Sequence, residues 1–169
     1  MSVTVVVPDT VAGLDAVREL MRAFVAWHRE RHQEDLHLID RYFDSAAFEA
    51  ELLSLPGKYS PPHGQLLLAF AGDRPAGCVA LRGIDEEVCE MKRMFVYPEL
   101  HGGGIGRVLA DAIVEEARRL KYRTMVLDTS IRQREAQALY QRLGFERTEP
   151  YYELEDDVRD WLVFMRRQL

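Results

Sequence analysis

The strongest chemical signal in the chain is a short segment with four glycines in five consecutive positions. The segment reads His101-Gly102-Gly103-Gly104-Ile105-Gly106-Arg107. Glycine has no Cβ atom to block a ligand, so the backbone N–H groups of such a segment can point outward. An apolar strand-like run ends before it near Val96, and an amphipathic helical pattern begins near Gly104. Unpaired N–H groups at a helix start attract anions, so the segment predicts a pyrophosphate site.

The residues around this segment exclude two common nucleotide-binding loops. No Gly-Lys-Ser/Thr sequence follows it, so it is not a Walker A loop. A dinucleotide-binding fingerprint would need glycine at position 107 or 109, where the chain has Arg107 and Leu109. A flexible turn without a ligand is the alternative. It leaves Gly106 unexplained, because glycine in the first helical turn costs up to ~1 kcal/mol relative to alanine.

The elements that position this segment follow from the spacing of apolar residues. Seven strands are predicted, at 2–7, 65–71, 76–82, 88–96, 124–127, 145–147 and 161–165. Four helices are predicted: one capped by Thr10, one at 45–53, one from Gly104 and one at 135–143. The order is β-α-α-β-β-β-α-β-α-β-β, and the short turns between consecutive strands imply antiparallel pairing. We therefore expect an α/β (α+β) fold with a mixed, mostly antiparallel central sheet of about seven strands flanked by four helices.

Length and composition limit the classes of function. A chain of 169 residues fits one domain, expected over residues 1–169. The net charge of −6 argues against a general nucleic-acid binder and is better suited to an amine-bearing partner. No segment resembles a leader peptide or a membrane helix, and Cys78 and Cys89 lie in apolar runs typical of buried free thiols. We expect a cytoplasmic protein that contacts no membrane.

Three motifs at characteristic spacing resemble the GNAT superfamily of N-acetyltransferases. The family's strand E-L/M-K-R-L/M-Y/F-V appears as the run from Glu90 to Val96, and its loop Q/R-x-x-G-x-G/A as the run from His101 to Gly106. The family's N-x-x-A-x-x-L-Y-x-x-x-G-F appears as the run from Gln133 to Phe145. The resemblance spans roughly residues 65–150. His101 replaces the usual Gln or Arg and Gln133 the usual Asn, and both keep hydrogen-bonding capacity.

The resemblance implies a GNAT-like fold and acetyl-CoA as cosubstrate, with no metal. Backbone groups of Met94, Phe95 and Val96 would pair with the pantetheine arm like an added strand. Gln133 would lie near the same arm. The pyrophosphate would be held at His101, Gly102, Gly103, Gly104, Ile105, Gly106 and Arg107.

The chemistry of acetyl transfer adds two candidate catalytic residues. An amine with a pKa of ~10.4 must lose its proton before attack, which costs about 4.6 kcal/mol at pH 7. Glu90 is the candidate general base, with a solvated or salt-bridged strand glutamate as the alternative. The resemblance implies that Tyr140 is the general acid that protonates the leaving thiolate, with a merely packing tyrosine as the alternative. A backbone N–H of Met94 or Phe95 would hold the oxyanion.

The acceptor is not identified by any motif. Our leading hypothesis is a small amine or amino-acid-like metabolite; the alternatives are a protein N-terminus or lysine, and a non-catalytic CoA-binding sensor. Residues before 65 are expected to line the acceptor site. This region holds His28, His32, Glu34, Asp35 and His37. His28 and His32 lack the Glu that a zincin motif places after its first His, so an exposed or acceptor-facing helix end is expected instead. A homodimer is the oligomer we consider for this chain.

Overall fold

The computed structural model describes residues 2–169, which form one seven-stranded sheet. Its strands are β1 (Val3–Val6), β2 (Gln65–Ala71), β3 (Arg74–Gly83), β4 (Val88–Val96), β5 (Thr124–Ser130), β6 (Glu146–Arg147) and β7 (Leu162–Gln168). The spatial order is β1-β2-β3-β4-β5-β7-β6. The β4–β5 pair is parallel and the other neighbours are antiparallel. The mixed, mostly antiparallel sheet is confirmed.

Six α-helices cover the two faces of this sheet. They are α1 (Val11–Arg31), α2 (Leu36–Tyr42), α3 (Ser45–Leu53), α4 (Ile105–Arg119), α5 (Arg134–Arg142) and α6 (Asp156–Trp161). One core packs α4 and α5 against the sheet, and a second core packs the other helices against the opposite face. Within residues 2–169, no helix has both the length and the apolar composition needed to cross a bilayer.

The prediction of four helices is therefore wrong by two. The additional helices α2 and α6 contain seven and six residues, too few for a helical period to stand out in the sequence. The last strand was expected to begin at Trp161, but this residue ends α6 and β7 begins at Leu162. The predicted cap of the first helix is confirmed, since Thr10 Oγ1 accepts a hydrogen bond from the Gly13 N–H at 3.0 Å.

Strands β4 and β5 separate after a short paired segment. Only Val88–Glu90 pair with Thr124–Val126, and beyond this point β4 pairs with β3 alone while β5 pairs with β7. The separation coincides with a β-bulge, because Ala80 pairs with Lys92 while Cys78 pairs with Phe95. Arg93 within the bulge has φ of +59°. Bulges increase local twist and bend the strand, and here the result is a gap between two neighbouring strands.

Candidate active site

The gap between β4 and β5 contains a cavity of about 100 Å³. Its walls come from Met91–Met94 of β4, Leu127–Ser130 of β5, Tyr140 of α5 and His28 of α1. The cavity therefore lies at the centre of the sheet, where side chains from both helical layers reach the same space.

The glycine segment lies at one end of this gap and leads into α4. Gly102 and Gly104 have φ of +85° and +80°, a conformation that side chains disfavour. No atom lies within 4 Å of the Cβ that an alanine would add at either position. No side chain caps α4, so the N–H groups of its first turn have no side-chain acceptor and lie at the positive end of the helix dipole. Such a helix start can accept an anion, and the diphosphate site stays a prediction.

The side chains that flank the glycines stabilise the segment and leave its backbone free. His101 Nε2 lies 2.8 Å from the Val96 carbonyl oxygen, and Arg107 Nε donates to Asp111 at 3.1 Å. The Ile105 side chain is buried in the core, so this residue can offer a ligand only its backbone N–H. Of the two remaining glycines in the segment, Gly103 is exposed and Gly106 is half-buried.

The end of β4 presents a free backbone edge toward the gap. Phe95 and Val96 pair with Cys78 and Gly77 of β3, and neither pairs with β5. Met94 packs against one core and Phe95 lies in the other, so the side chains anchor the strand on both faces. An extended ligand could add to this edge as a further strand.

Tyr140 projects into the cavity from α5. Its residue surface is 6% exposed, and its hydroxyl makes no hydrogen bond to another residue within 2–169. Burial, and then the charge of Asp128, raises the pKa of the phenol above its ordinary value. The hydroxyl is therefore protonated at neutral pH and can donate a proton or a hydrogen bond into the cavity.

Glu90 lies outside this inner cavity. It is 1% exposed, and its carboxylate accepts hydrogen bonds from Arg82 Nε at 2.7 Å and from the Tyr151 hydroxyl. It faces a second, outer space on the same side of the sheet. This arrangement resembles the salt-bridged alternative, and the role of Glu90 as base stays a prediction.

Gln133 precedes α5 and fixes the start of that helix. Its Oε1 accepts from the Thr129 hydroxyl at 2.7 Å and from the Ser130 N–H at 3.1 Å. The side chain also lines the inner cavity. Its contact with a ligand stays a prediction.

The histidines at the end of the first helix are not exposed, so of the two expected arrangements the exposed one is wrong and the acceptor-facing one stays a prediction. His28 and His32 are 2% and 8% exposed, because His28 packs against Trp161 and His32 packs against His28. His28 reaches the inner cavity. Burial lowers the pKa of His28 to about 4, with a smaller contribution from His32, so its imidazole is neutral at pH 7. Asp35 accepts hydrogen bonds from Arg132 and Trp161.

Three polar residues at the site, Asp128, Tyr42 and Tyr152, were missed by sequence reasoning. Asp128 of β5 accepts hydrogen bonds from the hydroxyls of Tyr42 and Tyr152, the latter at 2.6 Å. Lys92 Nζ lies 3.3 Å from the same Tyr42 hydroxyl. One feature of the sequence could have indicated Asp128 as a site residue. It is the only charged residue in β5, which reads Thr-Met-Val-Leu-Asp-Thr-Ser. Tyr42 and Tyr152 belong to no recognisable motif.

An outer cleft of about 410 Å³ adjoins the inner cavity. Tyr42, Lys92 and Arg93 line both spaces. The remaining walls of the outer cleft come from Arg41, Arg82, Glu90, Tyr152, Leu154, Glu155 and Val158. Its lining thus combines cations, carboxylates and aromatic rings.

Comparison with known proteins agrees with this geometry. A family model described as the acetyltransferase (GNAT) family matches residues 14–145. An uncharacterized N-acetyltransferase of Schizosaccharomyces pombe is 42% identical over 104 residues, 60% of this chain and 64% of that protein. The IAA acetyltransferase of Azospirillum brasilense is 36% identical over 117 residues, 67% of this chain and 75% of that protein.

A solved structure has the same fold at low sequence identity. The structure of the PaiA N-acetyltransferase of Thermoplasma acidophilum in complex with coenzyme A superposes over 100% of both chains, with a TM-score of 0.74 and 16% identity. The family model covers well over half of the chain and includes the free strand edge, the glycine segment and Tyr140. The chain therefore belongs to the GNAT family of acetyltransferases.

Proposed function

We propose that this protein transfers an acetyl group from acetyl-CoA to the primary amine of a small metabolite or amino-acid-like acceptor. The amine nitrogen forms a bond to the acetyl carbon, the carbon–sulfur bond breaks, and the products are an N-acetyl amine and free CoA thiol. The single observation that carries the proposal is the free backbone edge of β4 beside the uncapped start of α4. Both lead to the cavity into which Tyr140 projects.

The positions of these groups suggest how the cosubstrate would lie. The diphosphate of acetyl-CoA would accept hydrogen bonds from the N–H groups between Gly102 and Arg107. The pantetheine arm would pair with the backbone of Met94–Val96, which directs the thioester into the inner cavity. The T. acidophilum relative with coenzyme A bound supports this cosubstrate.

The residues around the cavity would carry out the proton transfers. A carboxylate must take the proton of the acceptor ammonium, and Glu90 is the predicted base. A backbone N–H of Met94 or Phe95 would donate to the thioester oxygen as negative charge develops there. Tyr140 would then give its proton to the departing sulfur. The pKa of Tyr140 is raised by burial, which keeps this proton in place until the sulfur becomes basic.

The size and charge of the outer cleft favour a small acceptor over a protein. A volume of about 410 Å³ lies within the range of small-molecule sites. A groove for lysine side chains or peptide N-termini would be expected to be open and acidic. Here the charged lining residues include Arg41, Arg82, Lys92 and Arg93 beside two glutamates. The buried free thiols of Cys78 and Cys89 suit a reducing compartment, and we place the reaction in the cytoplasm.

A calorimetric titration and a thiol-release assay together test the proposal. We expect CoA and acetyl-CoA to bind with one site per chain, and at least one amine in a broad panel to release thiol from acetyl-CoA. Absence of binding to both would contradict the proposal. Binding without thiol release for any amine would favour a CoA-binding sensor, and a strong preference for peptides over small amines would favour a protein acetyltransferase.

A further inference from the structure

We infer that the acceptor carries a carboxylate next to its reacting amine, as an α-amino acid does, with Asp128 holding the ammonium group and Lys92 the carboxylate. This inference rests on the proposed acetyl transfer and specifies its acceptor. It is carried by two charged side chains that face the same space and form no salt bridge within residues 2–169.

Asp128 provides the negative charge. Its carboxylate lies half-buried at the inner cavity, and no cationic side chain described in the structure comes within salt-bridge distance. Its two hydrogen bonds come from neutral hydroxyls, those of Tyr42 and Tyr152. A carboxylate has about four lone-pair sites, so Asp128 keeps acceptor capacity for an ammonium group. That ammonium would then lie beside Tyr140 and the thioester, and before attack its proton would pass through water to the predicted base, Glu90.

Lys92 provides the positive charge, and it differs from the other cations around the two spaces. Arg41 pairs with Glu155 at 2.6 Å, and Arg82 with Glu90 at 2.7 Å. Arg93 pairs with Glu51 at 2.9 Å.

No carboxylate within residues 2–169 pairs with Lys92. Its ammonium lies 3.3 Å from the Tyr42 hydroxyl and 5.4 Å from the centre of the Tyr42 ring. Burial lowers the pKa of Lys92, and the charges of Asp128 and then Glu90 offset this only in part.

The two charges are close enough for one zwitterion to reach both. The Tyr42 hydroxyl lies 2.5 Å from Asp128 Oδ1 and 3.3 Å from Lys92 Nζ, so these two charged atoms are at most 5.8 Å apart. An acceptor with its amine and carboxylate on the same carbon atom can contact both side chains. An amine without a carboxylate would bring a second cation beside Lys92, whereas a zwitterion supplies each side chain with its counter-charge.

The rest of the acceptor can lie at the boundary between the inner cavity and the outer cleft. Tyr42 and Lys92 line both the inner cavity and the outer cleft. An acceptor held between Asp128 and Lys92 would direct its amine to the thioester and its side chain to the outer cleft. The half-buried rings of Tyr42 and Tyr152 would contact that side chain.

The test compares acceptors that differ only in the carboxylate. Alanine, methionine, glutamate and phenylalanine are each assayed as the free acid, the α-carboxamide and the decarboxylated amine, with saturating acetyl-CoA. In at least one series we expect the free acid to have a kcat/KM at least tenfold above both analogues. Lys92→Met should remove this preference by lowering kcat/KM for the acid at least tenfold while changing the analogues less than threefold.

Three further variants separate the roles. Lys92→Arg should retain part of the preference because it keeps the charge, and Asp128→Asn should lower kcat/KM for acid and analogues together. Lys121→Met, at an exposed lysine outside both spaces, is the matched control. Calorimetric binding of CoA to each variant verifies that it is folded.

The outcomes are distinguishable. Amides or decarboxylated amines that match or exceed the free acids in every series overturn the inference and leave acetyl transfer intact. An equal loss for all acceptors in Lys92→Met also overturns it, because Lys92 would then act on the thioester. Absence of thiol release in every series, with release for another amine of the broad panel, overturns the inference alone. Absence of release for every amine overturns the proposed acetyl transfer together with the inference.

Discussion

Tyr140 is the residue whose proposed role depends most directly on its surroundings. Its ring packs edge-on against Phe145, with 5.9 Å between the ring centres, while its hydroxyl faces the cavity without a hydrogen-bond partner within residues 2–169. The ring therefore stabilises the fold, and the hydroxyl is available for chemistry. Removal of the phenolic oxygen alone therefore tests the chemical role of Tyr140 without changing the packing of its ring.

We predict that Tyr140→Phe lowers kcat for acetyl transfer roughly tenfold or more, because the thiolate then leaves without a positioned proton donor. CoA affinity should change little, since the ring keeps its packing. Steady-state kinetics and calorimetry measure the two quantities. Tyr122→Phe is the control, because this hydroxyl donates to the His63 carbonyl away from the cavity, and its kcat should match that of the wild type. An unchanged kcat in Tyr140→Phe would remove this residue from the mechanism.

The residues that sequence reasoning found at the site are those that belong to motifs. Tyr140, Gln133 and the glycines lie in local patterns whose spacing is fixed by one strand or one helix. Asp128 and Tyr42 meet across 86 positions of the chain, and no local pattern reports such a contact. Glu90 is the converse case. The motif identified this residue from the sequence, but its hydrogen bonds with Arg82 and Tyr151 could be found only from the three-dimensional structure.

At the scale of elements, the start of α4 depends on a left-handed residue. Gly104, with φ of +80°, directly precedes α4 and sets the direction in which the chain enters the first turn. An alanine there would not collide with any atom, but a side chain costs roughly 1–2 kcal/mol in this conformation. The strain would be relieved by a rotation of the backbone, and that rotation would redirect the N–H groups.

We predict that Gly104→Ala weakens CoA binding about tenfold. Gly72→Ala is a matched control, because Gly72 in the β2–β3 turn also has a positive φ, +61°, and no atom within 4 Å of the added Cβ. Both variants should lose similar stability in chemical denaturation, but only Gly104→Ala should lose affinity in calorimetry. Equal affinities for the two variants would contradict a diphosphate site at this segment.

Helix α3 is attached to the bulge of β4 by a buried ion pair. Arg93 Nε lies 2.9 Å from Glu51 Oε2, and both side chains are 10% exposed. Burial alone would raise the pKa of Glu51, but the hydrogen bond and charge of Arg93, followed by those of Lys58, outweigh it and lower the pKa to about 2. The pair therefore holds α3 against the strand that lines the inner cavity.

This pair predicts an acid-sensitive contribution to stability. The lowered pKa of Glu51 stabilises the fold by about 3 kcal/mol above the unfolded pKa of 4.5, and this contribution is lost as the pH falls toward 2. Glu51→Gln should be less stable at pH 7 and lose less stability between pH 5 and pH 3. Glu49→Gln, on the same helix in an exposed pair with Arg22, should behave like the wild type. Urea denaturation at both pH values measures the difference, and equal acid sensitivity of Glu51→Gln and the wild type would contradict this account.

The elements that sequence reasoning missed are short and stabilised by packing. Helices of six or seven residues are marginal on their own, so α2 and α6 depend on contacts between distant parts of the chain. The long helices α1 and α4 were predictable because their apolar periodicity repeats several times, and the strands because they form apolar or β-branched runs between turn residues. The missed helix α2 carries Tyr42, so the least predictable element contributes directly to the proposed acceptor site.

At the scale of the whole molecule, the sheet consists of two parts with a narrow connection. Strands β1–β4 form one part and β5–β7 the other, and three residue pairs between Val88–Glu90 and Thr124–Val126 join them. Acetyl-CoA bound in the gap would contact β4 and α4 on one side and α5 on the other. The bound ligand would thus make backbone hydrogen bonds in the gap, where β4 and β5 do not pair with each other.

This geometry predicts where CoA slows hydrogen exchange. At a free concentration of 100 times its Kd, a ligand that binds only the folded state adds about 2.7 kcal/mol to the free energy of global unfolding. Amides that exchange by global unfolding should gain this protection uniformly. Amides at Met94–Val96 and Gly102–Arg107 should gain more than other locally exposed amides, because the ligand also covers them directly.

The edge strand Val3–Val6 is the internal control, since it lies at the far side of the sheet from the gap. Exchange measured by mass spectrometry on fragments from the three segments, with and without CoA, makes the comparison. Protection at Gly102–Arg107 without any at Met94–Val96 would place the diphosphate correctly but contradict a pantetheine arm paired with β4. Equal added protection in all three segments would show global stabilisation without contact at the gap, and the proposed position of the cosubstrate would then be wrong.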